Sequence, residues 1–297
     1  MALISRRDAG KILLTGCAGA LVTAPTLPSA SMINSVVRGV QIGAQSYSFR
    51  DRPLDACIEA FRTVGLGECE LYEGHVAPPN MKGADLKKWR LETPPSYYQE
   101  IRKKFDDAGI LLYAYNFSFR KTFTDEEIER GFQAAQAMGV KYITASSNVS
   151  VAPRVDKYAQ KYKIMVGFHG HDKTSDPDEF STADTFARAM QGASRYIGVN
   201  LDIGHFTAAG GDAVAYLREH HERIVTLHLK DRKKNHGANL PFGEGDTPIV
   251  EVLRLLRDKR WKIPANIEYE YGNEIKGLDT IVEVKKCYDY CRKALES

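Results

Sequence analysis

Residues 196–206 read YIGVNLDIGHF, and residues 224–231 read IVTLHLKD. Each stretch is a nearly continuous apolar run that ends in polar side chains, a pattern typical of a strand buried on both faces of a parallel sheet. Asp202 closes the first run and His228 the second. A carboxylate and an imidazole at equivalent strand ends can converge on one cation, so the pattern predicts a metal site. Taken singly, Asp202 could instead cap the following turn, and His228 could be a core histidine.

The rest of the chain repeats this alternation of an apolar run and an amphipathic stretch. The strand-like runs are residues 40–49, 69–72, 110–117, 141–146, 164–169, the two runs quoted above and 263–271. Eight strand–helix units in a chain of 297 residues predict an α/β fold, a (β/α)8 TIM barrel over residues 37–297. An open doubly wound sheet is disfavoured, because the first strand-to-helix turn lacks G-x-G-x-x-G.

The composition is that of an ordinary globular protein, with 43% hydrophobic residues, 27% charged residues and a formal net charge of +3. A charge so near zero gives no electrostatic basis for binding nucleic acid, so no nucleic-acid partner is expected. The five cysteines include no C-x-x-C pair. They are interpreted as free thiols rather than as a disulfide framework or a zinc site.

The first thirty residues have the layout of an export signal. Arg6-Arg7 precedes a stretch rich in apolar and small residues, from residue 12 to about residue 25, as in a twin-arginine signal peptide over residues 1–30. Cleavage after Ala30 is expected, which predicts a periplasmic protein with no transmembrane anchor after processing. Because residues 14–17 also resemble a lipobox, a lipid anchor at Cys17 is the alternative.

Polar side chains collect near the ends of the predicted strands, where a TIM barrel carries its active site. Four of the eight histidines fall at three of these ends, which chance placement would not produce. The candidates, in chain order, are Gln45, Tyr47, Glu70, His75, Asn116, Ser146, His169, His171, Asp202, His205, His228, Lys230, Glu268 and Glu270.

Four motifs together resemble one known family: LDIGH at 201–205, LHLKD at 227–231, GEG at 243–245 and IEYE at 267–270. They are similar to the sugar phosphate isomerase/epimerase superfamily, also called the xylose-isomerase-like TIM barrels. The resemblance covers about residues 37–295. It implies one divalent metal ion, with manganese expected first and zinc, cobalt or magnesium as alternatives, and a small carbohydrate substrate.

By this resemblance, Asp202, His228 and Glu268 match three metal ligands. His205 matches a substrate-contacting histidine, and Glu70 corresponds to a substrate-site carboxylate.

The fourth ligand position departs from the family pattern. The fifth strand of these barrels usually ends in Glu-Asn-His, whereas residues 169–171 read His-Gly-His. His169 is therefore expected to replace a ligand carboxylate, as imidazole can for a first-row metal. In the family's epimerases, two metal-bound glutamates pass a proton between opposite faces of the substrate. Glu268 could still act on one face, but a metal-bound His169 has no free lone pair.

The expected chemistry begins with a divalent ion that polarises a sugar carbonyl and stabilises the enediolate formed by loss of a neighbouring proton. Reprotonation would make the protein a metal-dependent sugar isomerase or epimerase, the function expected first. Expulsion of a glycosidic oxygen beta to the carbonyl would make it a 3-keto-glycoside lyase, the alternative favoured by export because phosphorylated sugars are cytoplasmic. A non-catalytic sugar-binding barrel is the second alternative. A three-zinc DNA-repair endonuclease shares this barrel, but the near-neutral charge argues against it.

Individual roles follow from this chemistry. The general base is expected among His171, His205 and Glu70. Lys230 would hold a substrate oxygen, or alternatively pair with Asp231 or Glu244. Tyr47, His75, Asn116 and Glu270 are expected to bind substrate, and residues 232–234 are interpreted as a solvated loop. The sequence is compatible with a homo-oligomer.

Overall fold

The structure, a computed structural model, describes residues 31–297. Within this range, eight strands pair in parallel with their sequence neighbours, and the eighth also pairs with the first, so that the sheet closes on itself. The predicted (β/α)8 TIM barrel is thereby confirmed. The predicted signal peptide, with Arg6-Arg7, Ala30 and Cys17, lies outside the described residues.

The barrel strands, numbered here along the chain, are β1 (Val40–Gln45), β2 (Glu68–Tyr72), β3 (Leu111–Asn116), β4 (Tyr142–Ser146), β5 (Met165–His169), β6 (Ile197–Asp202), β7 (Ile224–Leu229) and β8 (Ala265–Ile267). Short strands outside the barrel are Val36–Val37, which pairs antiparallel with β1, and the pair Asp231–Arg232 and Asn239–Leu240.

The main helices are α1 (Leu54–Val64), α2 (Gly83–Glu92), α3 (Pro95–Asp107), α4 (Asp125–Ala137), α5 (Ala152–Tyr162), α6 (Ala183–Met190), α7 (Ala213–His220), α8 (Ile249–Lys259) and α9 (Thr280–Glu296). Shorter helical segments are Ser46–Phe49, Glu73–Val76, Val149–Val151, Ile203–Ala208, His221–Arg223 and Tyr271–Asn273.

Two predicted strands are shorter than expected. The run at residues 40–49 leaves the sheet after Gln45, whose side chain accepts a hydrogen bond from the backbone N–H of Tyr47 at 2.6 Å and caps a 3-10 turn. The run at 263–271 pairs in the sheet only over β8, after which Ser48 Oγ donates to the carbonyl of Ile267 and accepts from the N–H of Tyr269. Both corrections bring additional loop backbone to the mouth of the barrel.

Helix α2 was not predicted from the sequence. None of its residues is buried, so it lacks the apolar stripe by which a helix is recognised. Helix α4, by contrast, begins with the capping box that its sequence indicates. Thr124 Oγ1 accepts from the N–H of Glu127, whose carboxylate accepts from the N–H of Thr124.

The sheet has a different core on each of its two faces. Apolar side chains fill the space between the strands and the helices, whereas the lower barrel interior holds polar residues with no exposed surface: Glu68, Glu70, Thr144, Asn200, Thr226 and Asn266. Over residues 31–297, no helix has the length and apolar character needed to cross a membrane. Cys57, Cys69, Cys287 and Cys291 are buried free thiols.

Candidate metal centre and active-site cavity

Four buried side chains meet at the carboxyl ends of neighbouring strands. His169 ends β5, Asp202 ends β6, His228 lies one residue before the end of β7, and Glu268 directly follows β8. Each offers a ligand atom, and these atoms all lie within 4.8 Å of one another. Two imidazole nitrogens and two carboxylate oxygens are a suitable donor set for a first-row divalent ion, so the residues present fit such a metal.

His228 is oriented by a carboxylate on each side of its ring. Nε2 lies 2.9 Å from Glu70 Oε2, and Nδ1 lies 3.1 Å from Glu268 Oε2. When Nε2–H donates to Glu70, the Nδ1 lone pair faces the cluster, which is the carboxylate–histidine–metal arrangement of many metal sites. Burial disfavours the imidazolium, but the charges of Glu70 and Glu268 outweigh it and raise the pKa of His228 well above its usual value. A metal ion at this position would therefore displace a proton.

His169 has the opposite electrostatic environment. Burial lowers its pKa to about 3, so the ring is neutral. Its Nε2 lies 3.4 Å from Asp202 Oδ2, and its Nδ1 lies 3.4 Å from Ser146 Oγ. A neutral imidazole keeps a lone pair for a metal, and the Ser146 hydroxyl can fix the ring orientation from the far side.

Lys230 brings a positive charge into the same cluster. Its Nζ lies 3.1 Å from Asp202, 2.9 Å from Glu268 and 2.6 Å from Glu270. Burial alone would lower the pKa of Lys230, but these three carboxylates raise it above its usual value. The ammonium therefore pairs with site carboxylates rather than with Asp231 or Glu244. A divalent ion would compete with the Lys230 ammonium group for Asp202 and Glu268. Glu270 would then remain as the carboxylate partner of Lys230.

A cavity of about 310 Å³ opens above the cluster, and two walls of different character enclose it. The β1–β4 wall consists of Gln45, Tyr47, Tyr72, Asn116, Ser118, Arg120 and Ser146. The β5–β8 wall consists of His169, His171, His205, His228, Lys230, Glu268 and Glu270. Among residues 31–297, every imidazole and carboxylate that lines the cavity belongs to the β5–β8 wall.

His171 forms a histidine–carboxylate pair on the β5–β8 wall. Its Nδ1 lies 3.0 Å from Glu179 Oε1. A Nδ1–H that donates to Glu179 leaves Nε2 as the ring atom able to exchange a proton with a ligand. The ring of His171 lies 5.4 Å from that of His205, measured between centroids.

His205 stands between the strand ends and a polar network formed by loops. Its Nδ1 lies 3.4 Å from Asp172 Oδ1 and 2.6 Å from Arg232, and its Nε2 lies 3.0 Å from Lys230 Nζ. Burial and the charge of Lys230 lower the pKa of His205. Arg232 is itself buried and lies 3.0 Å from Asp172, so its interpretation as part of a solvated loop is wrong.

The structure places most of the other predicted site residues at the cavity, but not all of them. Tyr47, Asn116 and Glu270 line it. Glu70 lies beneath His228 with no exposed surface, so it contacts a proposed metal ligand rather than the cavity. His75 lies outside the cavity, where Ser46 Oγ approaches its Nδ1 at 2.9 Å and the carbonyl of Arg52 accepts from its Nε2 at 3.1 Å.

Several cavity and network residues were not predicted from the sequence. Ser118 and Arg120 line the cavity, and Glu179 and Asp172, in the loop after β5, contact His171 and His205. Tyr72, at the end of β2, also lines the cavity. The loop residues carry no periodic signal, since their roles depend on contacts with other loops.

Comparisons with known proteins give a consistent family. The sequence profile of the xylose isomerase-like TIM barrel family matches residues 76–288. An inosose dehydratase of Bacillus velezensis is 33% identical over 81 residues, which are 27% of this chain and 26% of that protein. The chain thus matches about a quarter of the length of this curated relative.

Two solved structures are similar over most of the chain. A sugar phosphate isomerase/epimerase from Parabacteroides distasonis has a TM-score of 0.63 at 16% identity and covers 91% of this chain and 100% of its own. The IolI protein with bound zinc has a TM-score of 0.64 at 15% identity, covering 86% and 98%. At these identities the likeness shows the fold alone.

Proposed function

This chain belongs to the xylose isomerase-like TIM barrel family, and on that premise we propose that it is a metal-dependent lyase of keto-sugars. It would remove the proton next to a ketone and expel an oxygen substituent from the carbon beyond. Since the expected export would bring the protein to free sugars and glycosides, a 3-keto-glycoside is the proposed substrate, and the alcohol that leaves is its aglycone.

The observation that carries this proposal is the asymmetry of the cavity. Epimerisation needs a base on each face of the substrate, because the proton that leaves one face must return to the other. The imidazoles and carboxylates of the cavity all belong to the β5–β8 wall. The β1–β4 wall offers amides, hydroxyls, two phenols and Arg120, none of which is a suitable base near neutral pH. An elimination can proceed with a base on one side only, as can the isomerisation of a ketose, so the asymmetry argues against epimerisation in particular.

Four residues, His169, Asp202, His228 and Glu268, would hold the metal. A divalent ion bound there would polarise the ketone and stabilise the negative charge that develops when the adjacent carbon loses its proton. Two imidazoles among the four donors favour manganese, zinc or cobalt over magnesium.

His171 is the proposed acid–base residue. Glu179 holds its Nδ1, so that Nε2 takes the proton from carbon. The carbon–oxygen bond then breaks as the carbon–carbon double bond forms, and the imidazolium of His171 returns the same proton to the departing oxygen. No oxidant or further reactant is consumed.

Lys230 and His205 are proposed to bind substrate oxygens beside this step. Lys230 is the ammonium nearest the proposed ligands, at 2.9 Å from Glu268, and can donate to an oxygen that gains charge. His205 is buried between Lys230 and Asp172, which fixes its ring. The name of the B. velezensis relative, a dehydratase, denotes loss of an oxygen substituent as water and supports the same reaction class.

Isomerisation or epimerisation of a ketose is the second candidate. Glu268 favours it, because this proposed ligand also lines the cavity and could carry a proton as the family's glutamates do. The P. distasonis neighbour is named for that activity.

One experiment separates these functions. Protein purified without chelator is analysed for metal and assayed against 3-keto-glucosides and free ketoses. We expect one divalent ion per chain and release of the aglycone. Interconversion of ketoses without aglycone release would assign the second candidate. Tight sugar binding without turnover by the metal-loaded protein would indicate a binding barrel, and absence of metal binding would refute both enzymatic proposals.

A further inference from the structure

Two carboxyl side chains of β2 lie in the barrel interior beneath the proposed metal centre. Glu68 and Glu70 are two residues apart, so they project from the same face of the strand. Neither has exposed surface. Two like charges so close in a desolvated interior cannot both be stable, and the groups around each residue decide which one is ionised.

Glu70 is surrounded by donors. Thr144 Oγ1 donates to it at 2.5 Å, and Nε2 of His228 lies at 2.9 Å. The side-chain amides of Asn200 and Asn266 donate at 3.5 Å. These donors compensate the cost of burying the carboxyl group of Glu70.

Glu68 has the opposite environment. Within the described residues, neither of its carboxyl oxygens has a hydrogen-bond partner, and neither has Asn266 Oδ1. Both residues crowd the space above Gly43, where an added Cβ would lie 1.7 Å from Glu68 Oε2 and 2.4 Å from Asn266 Oδ1. Two acceptor oxygens that share one small buried space need a donor between them, because each unpaired group carries a desolvation penalty.

We infer that Glu68 is a neutral carboxylic acid that donates a hydrogen bond to Asn266 Oδ1, and that it acts in this form as a positioning residue for the metal centre. With Oδ1 so engaged, the amide nitrogen of Asn266 faces Thr226 and Glu70, at 3.1 and 3.5 Å. Glu70 in turn fixes the ring of His228. The contacts thus connect Glu68, through Asn266 and Glu70, to the proposed metal ligand His228. A neutral Glu68 adds no second negative charge beside Glu70.

The electrostatics agree with this geometry. Burial, followed by the charge of Glu70, raises the pKa of Glu68 well above its usual value and outweighs the opposite effects of the Asn266 side chain and the charge of His228. Among residues 31–297, the titratable groups that interact with Glu68 are Cys69 and Glu70 on the same strand, His228 on β7 and Tyr113 on β3. The cation among them, His228, is already paired with Glu70 and Glu268.

The protonation state can be measured without turnover. An infrared difference spectrum between the wild type and Glu68→Gln at neutral pH should show the carbonyl stretching band of a protonated carboxyl group, present only in the wild type. The matched control is Glu283→Gln. Glu283 is also buried but pairs with Lys286 and Tyr271, so its removal should leave the band in place. A wild type without the band would overturn the inference.

The positioning role is tested by metal titration calorimetry. Glutamine is neutral and nearly the same shape as the protonated acid, so Glu68→Gln should bind Mn²⁺ or Zn²⁺ within about twofold of the wild type. Glu68→Leu cannot donate to Asn266 and should weaken binding about 10- to 100-fold, the range for lost outer-shell partners. Equal weakening in both variants would contradict the role, as would no weakening in a folded leucine variant.

This role rests on the proposed metal centre, but the infrared result does not. A wild type that binds no metal and yet shows the band would refute the proposed function and leave the neutral Glu68 standing. If Glu68→Leu fails to fold, Glu68→Gln still decides the outcome. A loss of metal affinity in Glu68→Gln is sufficient by itself to contradict the proposal that Glu68 is a neutral hydrogen-bond donor.

Discussion

The two walls of the cavity differ in how their side chains are held. On the β5–β8 wall, nearly every charged group contacts another: Lys230 meets three carboxylates, and His228 lies between Glu70 and Glu268. On the β1–β4 wall, the lining groups are amides, hydroxyls and aromatic rings, together with Arg120. A charged and desolvated wall suits bond-making and bond-breaking, whereas a wall made mainly of amides, hydroxyls and aromatic rings suits recognition of sugar rings and hydroxyl groups. Substitutions on the two walls should therefore have different kinetic signatures.

The largest effect is expected at Asp202, the most deeply buried carboxylate of the proposed ligand set. We expect Asp202→Asn to weaken metal binding by more than about 100-fold, the upper end of losses for outer-shell partners, because it removes a ligand charge directly. Activity should fall with metal occupancy. Calorimetric metal titration and aglycone release measure the two losses.

Asp202 also caps a helix, since its Oδ1 accepts from the N–H of His205 at 2.7 Å. Asp212→Asn is the matched control. Asp212 makes the same kind of cap on α7, accepting from Ala215 at 2.9 Å, but lies outside the cavity. Full metal affinity in folded Asp202→Asn, or an equal loss in the control, would remove Asp202 from the proposed ligand set.

His171 tests whether the chemistry belongs to the β5–β8 wall. His171→Asn should lower kcat by about 10²- to 10⁴-fold, the usual contribution of a general acid–base residue, and leave metal content unchanged. Glu179→Gln should have a smaller effect in the same direction, because it removes only the group that orients the ring. Steady-state kinetics and metal analysis of each purified variant provide the measurements. Normal kcat in His171→Asn would move the base to Glu268 or His205.

The strand-end positions explain how much of this site the sequence could predict. His169, Asp202 and Glu268 stand at or just beyond the last residue of their strands, where side chains of a closed parallel barrel must converge. Glu70 was misplaced although the predicted run ends at Tyr72, as β2 does, because a residue two positions before the end of a strand lies below the rim. Periodicity identifies a strand but does not show how deep in the barrel each of its polar residues lies.

Other errors came from loops. The short helix Glu73–Val76 turns His75 toward Ser46 and away from the cavity. Asp172 and Glu179 were missed because their partners are far along the chain or across a loop without regular spacing. The fold, by contrast, could be predicted because each of its eight units repeats the same local pattern of a buried run followed by an amphipathic helix.

The smallest effect is expected on the β1–β4 wall, at the phenol group of Tyr72. Its hydroxyl makes no hydrogen bond with any group of residues 31–297, and its ring packs edge-on against Tyr47, with 5.1 Å between the ring centroids. Tyr72→Phe keeps the ring and removes the hydroxyl of a residue that lines the cavity. A neutral hydrogen bond contributes about 0.5–1.5 kcal/mol, so KM should rise by no more than about tenfold. Because such a contact is the same in the ground and transition states, kcat should stay constant.

Tyr97→Phe is the control, since its hydroxyl donates to the carbonyl of Val76 outside the cavity. A fall in kcat for Tyr72→Phe, with unchanged KM, would show that the β1–β4 wall takes part in the chemistry and would return the two-sided proton transfer of an epimerase to consideration.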